Sequence, residues 1–254
     1  MLNEYINLKD KTAVVTGASR GIGEAAARRL AQAGANVVLL ARSENDIHTI
    51  AKDIGENTLP LTCDVSNWND IEQAFLKAHD RYGSIDILVN NAGTIDPVSR
   101  IEDADPIAWG NVVDINLKGV FHGIRAAIPT MKDRGGIIIN ISSGAATSAL
   151  EGWSHYCSTK AAVLSLTQCV HKEYGDRGVG CVGLSPGTVA TDMQQSIAAS
   201  GINPVSQLDW SAHISPQTVA EAIVWLCTDA ARAHDGTDFS LKTPTGRMAI
   251  GLPK

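Results

Sequence analysis

Short runs of apolar residues alternate with longer amphipathic stretches along this 254-residue chain. The runs are apolar at successive positions, which is typical of parallel strands covered by helices on both faces. They read TAVVT, NVVLL, TLPLT, DILVN, GIIINI and GVGCVGL. The intervening stretches have helical period and predict helices over residues 21–33, 43–54, 67–82, about 104–131, about 154–175 and about 216–228.

This alternation predicts an α/β fold, a single-domain, Rossmann-type doubly wound parallel sheet with helices on both faces. No repeat, low-complexity tract or long Pro/Gly-rich linker divides the chain, so we expect one domain over residues 1–254. Segment 192–214 mixes Met, Ile, Trp, Gly and Pro without a clear period, where no strand is expected. We expect it to be a mobile insertion that forms a lid over a substrate.

Composition excludes several classes of function. The longest apolar runs are far too short to cross a bilayer, and the charged N-terminus MLNEYINLKDK does not have the pattern of a signal peptide. We therefore expect a cytoplasmic protein with no membrane partner. A net charge of −6 without a basic stripe argues against nucleic acid, and five scattered cysteines predict free thiols and no metal site.

A glycine-rich turn, TGASRGIG, connects the first predicted strand to the first predicted helix. Gly17, Gly21 and Gly23 permit positive φ, close backbone approach to pyrophosphate and tight helix packing. The free N–H groups and the dipole of the helix then favour bound phosphate. As an isolated string this is also compatible with a plain flexible turn, but its position after the first strand predicts a dinucleotide site.

The second predicted strand ends in ARS, where an acidic residue binds the ribose hydroxyls in NAD-specific folds. Ala41 occupies that position and Arg42 follows, so a guanidinium is available for a 2′-phosphate. Arg20, in the glycine turn, is placed to approach from the other side. These residues predict NADP(H) in preference to NAD(H), the alternative being two solvated surface charges. Asp64 is either a partner of the adenine amino group or a helix N-cap.

Tyr156 and Lys160 lie one helical turn apart in GWSHYCSTKAA. Spacing alone decides nothing, because Tyr5 and Lys9 have the same spacing. Ser142 and Ser143, however, end the fifth predicted strand thirteen residues before Tyr156, at the sheet edge where α/β folds bind ligands. Position therefore favours Tyr156 and Lys160 as the chemical pair.

Seven motifs make the chain resemble the short-chain dehydrogenase/reductase family over Thr12 to Phe239. They are TGASRGIG, CDVS, NNAG, DINLKGVF, NISS, YCSTK and SPGTVATDM. The resemblance implies a catalytic tetrad of Asn116, Ser143, Tyr156 and Lys160, with Tyr156 as the proton donor to a carbonyl. It also implies a cofactor site formed by Gly17, Ser19, Arg20, Gly21, Ile22, Gly23, Arg42, Asp64, Val65, Asn91, Ala92, Gly93, Tyr156, Lys160, Pro186, Gly187, Val189 and Thr191.

Elementary chemistry supports these roles. A phenol has a pKa of about 10, so proton exchange at neutral pH needs roughly 4 kcal/mol of phenolate stabilisation. The Lys160 ammonium supplies it by charge attraction. Ser143 is suited to donate a hydrogen bond to the substrate oxygen, and Asn116 to hold a relay water. The plainer alternatives are a turn-stabilising hydroxyl for Ser143 and a surface amide for Asn116, while His155 and Cys157 are expected to be structural.

The substrate is less well defined by the sequence. GWSHYCSTKAA and TDMQQSI resemble the sepiapterin reductase branch, which reduces a side-chain ketone of a pterin. That branch binds its substrate through a C-terminal aspartate, and Asp238 is the corresponding candidate here, with Ser143 and Tyr156. Asp238 is equally compatible with a turn before a last short strand. The chain lacks the GxxxxVDGG ending of acyl-carrier-protein ketoreductases, which disfavours a 3-oxoacyl thioester.

Two classes of function therefore remain. The first is an NADPH-dependent carbonyl reductase that acts on a small ketone, aldehyde or secondary alcohol. The second is an NADP-binding regulatory or scaffold protein without turnover, which the intact tetrad disfavours. The long helices over 104–131 and 154–175 correspond to those that form four-helix interfaces in this family, which implies a homodimer or homotetramer; a monomer is the alternative.

Overall fold

The structure, a computed structural model, describes residues 6–253. The expected domain limits of 1–254 extend past both ends of this range, and Tyr5 lies outside the described residues. Within them, no helix combines the length and apolar character that a membrane crossing requires.

Seven parallel strands form a single sheet in the described part of the chain, in the order β3-β2-β1-β4-β5-β6-β7. The predicted doubly wound fold is therefore confirmed. The chain order reverses between β1 and β4, the point where open α/β sheets form a ligand crevice. The strands are β1 (Thr12–Thr16), β2 (Asn36–Ala41), β3 (Thr58–Thr62), β4 (Ile87–Asn90), β5 (Gly136–Ile141), β6 (Val179–Ser185) and β7 (Asp238–Ser240).

Helices cover both faces of this sheet. They are α1 (Gly21–Gln32), α2 (Glu44–Ile54), α3 (Trp68–Tyr82), α4 (Pro106–Val113), α5 (Gly119–Met131), α6 (Ser154–Tyr174), α7 (Asp192–Ser200), α8 (Pro216–Leu226) and α9 (Pro244–Ala249). Adjacent residues of β1 face opposite layers: Val15 packs with α1, α2 and α8, and Val14 packs with α3, α5 and α6. Both are fully buried, which explains why the strands are apolar at successive positions.

The structure adds detail to two predicted segments. The helix expected over about 104–131 covers 106–131 and contains a π-helical turn at Asp114–Lys118 between α4 and α5. Segment 192–214, expected to be a mobile insertion or lid, begins with α7 and continues with 3₁₀ turns at Pro204–Gln207 and Trp210–Ala212, and its role as a lid stays a prediction. The helix has a weak apolar period because its buried positions, Gln194 and Ile197, include a polar side chain.

Candidate active site

The glycine turn between β1 and α1 is held against the turn that follows β4. Asn91 donates from its side-chain amide to the carbonyls of Thr16 and Gly17, at 2.9 and 3.1 Å. A Cβ at Gly17 would lie 2.8 Å from the Cα of Ala92, and one at Gly23 would lie 2.2 Å from the carbonyl oxygen of Gly17. These two glycines are therefore required by close packing, as the sequence predicted.

The start of α1 offers a place for phosphate. Gly21 begins the helix with a φ of 57°, and Arg20 before it supplies no side-chain cap for the N–H groups of the first turn. A Cβ at Gly21 would meet the methyl group of Thr191 at 3.2 Å. The bare backbone between this turn and Thr191 fits a pyrophosphate group, which binds to such N–H groups.

Arg42 and Asp64 lie at the ends of β2 and β3, where the adenosine half of a dinucleotide would bind. Arg42 is exposed and its charge acts on Asp64. Burial works to raise the pKa of Asp64, but hydrogen bonds from Ser66 and the charge of Arg42 bring it below its ordinary value. Asn67, and not Asp64, caps α3, so the N-cap interpretation of Asp64 was wrong.

Arg20 makes a different contact from the one expected. Its guanidinium forms an ion pair with the carboxylate of Asp192 at the start of α7, at 3.0 Å. Asp192 had no role in the sequence interpretation, because a carboxylate 172 residues away gives no local signal. This ion pair therefore connects the glycine turn to the predicted lid.

Tyr156 and Lys160 project from α6 toward the end of β5. The ammonium of Lys160 lies 5.4 Å from the centre of the Tyr156 ring and donates a hydrogen bond to the carbonyl of Ile141 at 2.6 Å. Ser143 follows β5 and forms a side-chain hydrogen bond with Tyr156. The three predicted side chains therefore converge at the carboxyl end of the sheet.

Burial dominates the proton affinities of this group. It raises the pKa of Tyr156 to about 12, against the hydrogen bond from Ser143 that favours the phenolate. It also lowers the pKa of Lys160 to about 8, although the negative charge of Asp238 acts in the opposite direction. Both effects follow from the cost of a charge in an apolar environment.

Asn116 lies in the π-helical turn and is 1% exposed. Its side-chain oxygen accepts from the N–H of Thr94 at 2.8 Å, and its amide donates to the carbonyl of Thr94 at 2.7 Å. These bonds fasten the loop after β4 to the helical layer, next to Gly93, so the surface-amide alternative is wrong. The expected relay role of Asn116 stays a prediction.

The loop after β6 forms the next wall of the site. Pro186 is buried, and Gly187 has a φ of 84° that favours glycine. Val189 pairs with Ile214 in an isolated parallel bridge, which attaches the end of segment 192–214 to this loop. The other predicted cofactor positions are Ser19 in the glycine turn, Ile22 at the start of α1 and Val65 three residues after the end of β3.

An apolar cluster surrounds Tyr156. It contains Ile95, Ala145, Trp153 and, from α7, Ile197. The Trp153 and Tyr156 rings meet edge to face with centroids 5.6 Å apart. A residue of the predicted lid therefore packs in the same cluster as the tyrosine.

His155 and Asp238 lie near the site and have different hydrogen-bond partners. His155 Nε2 lies 2.7 Å from the carbonyl of Ile95, and burial lowers the pKa of its imidazole, in line with a structural residue. Asp238 begins β7 and accepts a hydrogen bond from Ser185 at 2.6 Å. The expected contact of Asp238 with substrate stays a prediction.

Known proteins are similar to this chain in sequence and in architecture. A family model described as short chain dehydrogenase matches residues 11–201. An uncharacterized oxidoreductase of Staphylococcus epidermidis is 33% identical over 228 residues, 89% of this chain and 95% of the relative. One from Staphylococcus saprophyticus is 36% identical over 227 residues, 87% of this chain and 92% of the relative.

A solved structure is similar to this chain in fold, in agreement with the family model and the relatives. The crystal structure of 3-ketoacyl-(acyl-carrier-protein) reductase from Brucella melitensis complexed with NADH superposes with a TM-score of 0.82 at 28% identity. The match covers 92% of this chain and 98% of that one. Fold and similarity together define an oxidoreductase of the nicotinamide-dependent class. The chain belongs to the short-chain dehydrogenase/reductase family.

Proposed function

We propose that this protein is an NADP(H)-dependent carbonyl reductase that acts on a small ketone or aldehyde, or on the secondary alcohol in reverse. The observation that carries the proposal is the convergence of Ser143, Tyr156 and Lys160 at the sheet edge beside the glycine turn. That arrangement supplies an acid, a charge that stabilises its conjugate base, and a second hydroxyl donor.

The cofactor, when bound by the glycine turn and the loop after β6, supplies the hydride for the carbonyl carbon. Ser143 donates a hydrogen bond to the carbonyl oxygen and stabilises the negative charge that develops there. Tyr156 transfers its phenolic proton to the same oxygen, which completes the alcohol. Lys160 stabilises the resulting phenolate until a solvent proton restores the phenol.

The preference for NADP(H) rests on the end of β2. Ala41 leaves no carboxylate to repel a 2′-phosphate, and the exposed guanidinium of Arg42 follows it. Arg20 is a second cation near this end of the turn, although it pairs with Asp192 in the structure. Because that pair is exposed, a phosphate competes with it at small cost.

The substrate side of Tyr156 favours an apolar substituent on the carbonyl, since Ile95, Trp153 and Ile197 surround the ring. A pterin side-chain ketone, suggested by the sequence around Tyr156, remains a candidate. A 3-oxoacyl thioester is the other, and the Brucella neighbour supports testing it.

We also propose that a second copy of the chain covers the outer face of α5 and α6. Phe121 is 49% exposed on that face, beside a cavity of about 350 Å³ between the two helices. Light scattering after size-exclusion chromatography is expected to give a dimer or tetramer. Phe121→Asp is expected to reduce it to smaller species, and an unaltered mass would contradict this interface.

The test of activity is oxidation of NADPH and NADH by purified protein with a panel of diketones, aldehydes, pterins and 3-oxoacyl thioesters. Tyr156→Phe is expected to reduce kcat by about 10²–10⁴-fold while cofactor binding persists. The matched control is Tyr174→Phe at the far end of the same helix, which should leave turnover unchanged. Binding of NADPH without turnover of any substrate would favour the scaffold alternative.

A further inference from the structure

A histidine of α5 contacts the loop that follows β3, which we call the β3 loop (residues 63–66). His122 Nδ1 lies 2.8 Å from the carbonyl oxygen of Val65. A carbonyl oxygen only accepts hydrogen bonds, so Nδ1 carries a hydrogen and donates it. Asp64 and Val65 of this loop are predicted to bind the adenosine half of the cofactor. His122 therefore contacts the backbone of the predicted cofactor site.

The same helix also packs against the β3 loop at its first residue. Gly119 is buried, and a Cβ at this position would lie 2.7 Å from the Cγ2 atom of Val65 and 3.4 Å from its carbonyl oxygen. Only glycine allows so close an approach. Packing at Gly119 and the hydrogen bond from His122 together fix the position of Val65 relative to α5.

Helix α3 contacts the other part of the β3 loop. Asp70 accepts a hydrogen bond from the N–H of Asp64 at 3.0 Å. The Asp64 carboxylate accepts from the N–H and the hydroxyl of Ser66, at 2.9 and 2.7 Å, and both bonds end on Oδ1. Its Oδ2 makes no hydrogen bond within residues 6–253, so it is available to a donor such as the amino group of adenine.

Aromatic neighbours fix the orientation of the His122 ring. Trp68, the first residue of α3, meets the imidazole edge to face with ring centroids 5.8 Å apart, and the Phe121 ring lies at 6.1 Å. The guanidinium of Arg125 lies 5.8 Å from the centre of the Trp68 ring. These contacts limit rotation of the half-buried imidazole, so its hydrogen bond to Val65 has a defined direction.

We propose that His122 is a positioning residue for the cofactor, which fixes the backbone of the β3 loop so that Asp64 and Val65 can bind the adenine ring. The inference rests on the proposed cofactor site. His122 then contributes to affinity for the adenosine half, which NADPH and NADH share, and not to the proton transfer at Tyr156. The alternative is a residue that stabilises the fold through its ring contact with Trp68 alone.

The experiment compares His122→Leu with His122→Asn. The two new side chains have the same shape, but only the asparagine amide places a donor where Nδ1 lies. His122→Leu is expected to raise Kd for NADPH, NADH and adenosine diphosphate by about three- to tenfold, the effect of one hydrogen bond. His122→Asn is expected to restore most of this affinity. Isothermal titration calorimetry measures Kd, and His79→Leu, the same change at an exposed position of α3, is the control.

Steady-state kinetics separate positioning from a general loss of structure. In His122→Leu, KM for NADPH is expected to rise, whereas kcat and KM for the carbonyl at saturating NADPH stay unaltered. A lower kcat with an unaltered KM for NADPH would overturn the proposal. Gly119→Ala displaces Val65 from the same helix and is expected to raise the same Kd values. It keeps the test decisive if His122→Leu does not fold, as circular dichroism would report.

Two results of the binding measurements would also overturn the proposal. The first is a Kd in His122→Leu equal to that of wild type. The second is an equal loss in His122→Leu and His122→Asn, which would assign the effect to the ring and not to the hydrogen bond. Wild type that binds none of the three ligands contradicts the proposed function and this inference with it. Wild-type binding with an unaffected His122→Leu removes the role of His122 alone.

Discussion

Arg20 in the glycine turn and Asp192 at the start of α7 form an ion pair at 3.0 Å. The first residue precedes the predicted phosphate site, and the second opens the segment expected to close over the substrate. Their side chains are 77% and 61% exposed, so the pair contributes little to stability. The pair matters because it occupies the Arg20 guanidinium, which the sequence analysis predicted to bind the 2′-phosphate of the cofactor.

Asp192→Asn is therefore expected to favour NADPH. It releases Arg20 for the 2′-phosphate, and KM for NADPH should fall by about two- to fivefold, because an exposed pair is worth less than about 1 kcal/mol. KM for NADH should stay the same. Asp209→Asn, a carboxylate that caps a turn within the same segment, is the control. An equal change for both cofactors would show that the pair acts on the lid and not on the phosphate.

Arg42→Asp is expected to reverse the cofactor preference. It removes the guanidinium and places a carboxylate that repels a 2′-phosphate one residue after Ala41, so the ratio of kcat/KM for NADPH over NADH should fall by at least about tenfold. Steady-state kinetics with each cofactor provide the measurement. Arg134→Asp, an exposed position before the amino end of β5, controls for the change in net charge. An unaltered ratio in Arg42→Asp would remove the 2′-phosphate argument.

Gly23→Ala is expected to disrupt the cofactor site. Its Cβ would lie 2.2 Å from the Gly17 carbonyl oxygen, so the turn must move, at a cost of about 1–3 kcal/mol in the free energy of unfolding. Gly110→Ala is the matched control, because its Cβ meets nothing within 4 Å in α4. The free energy of unfolding of Gly110→Ala should rise by up to about 1 kcal/mol, because alanine is favoured over glycine inside a helix. Thermal unfolding without NADPH measures the loss of stability, and the shift on adding NADPH measures the loss of cofactor binding. If Gly23→Ala and Gly110→Ala unfold at the same temperature, the packing argument is contradicted.

Carbonyl reduction is expected to lose rate above a pH of about 8. Burial lowers the pKa of Lys160 to about 8, so its ammonium is present below that pH and lost as the pH rises through it. Without the ammonium, Tyr156 releases its proton less readily. The measurement is kcat/KM for the ketone against pH at saturating NADPH, with Lys160→Met expected to be slow and to lack this descending limb. A wild-type profile that stays flat through this region would contradict the role.

The sequence predicted the centre of the sheet well because its strands there are buried on both faces and therefore carry a continuous apolar signal. The edge strand β3 is only partly buried, and the short edge strand β7 was not among the predicted strands. TAVVT, TLPLT and GIIINI coincide with β1, β3 and β5 residue for residue. The sequence did not predict the π-helical turn at Asp114–Lys118, because the apolar helical period continues on both sides of it. The helix α7 was not predicted because a tertiary environment, and not an amphipathic period, stabilises it.

Local motifs predicted the candidate site residues, whereas the partners of those residues depend on the fold. The spacing of Tyr156 and Lys160 is visible within five residues, and both converge with Ser143 as expected. Ion pairs such as Arg20 with Asp192 join distant segments and leave no pattern in the chain. The same holds for Ser185 and Asp238, which meet because β6 and β7 are neighbours in the sheet.

The π-helical turn at Asp114–Lys118 makes the position of Asn116 sensitive to residue count as well as to residue type. A π turn holds one residue more than an α turn, and an α-helix advances about 100° per residue. Deleting a single neighbour, such as Ile115, would convert the turn to α geometry and rotate Asn116 away from Thr94. A reading-frame-preserving deletion of one codon could thus detach the loop after β4 without altering any side chain that contacts it.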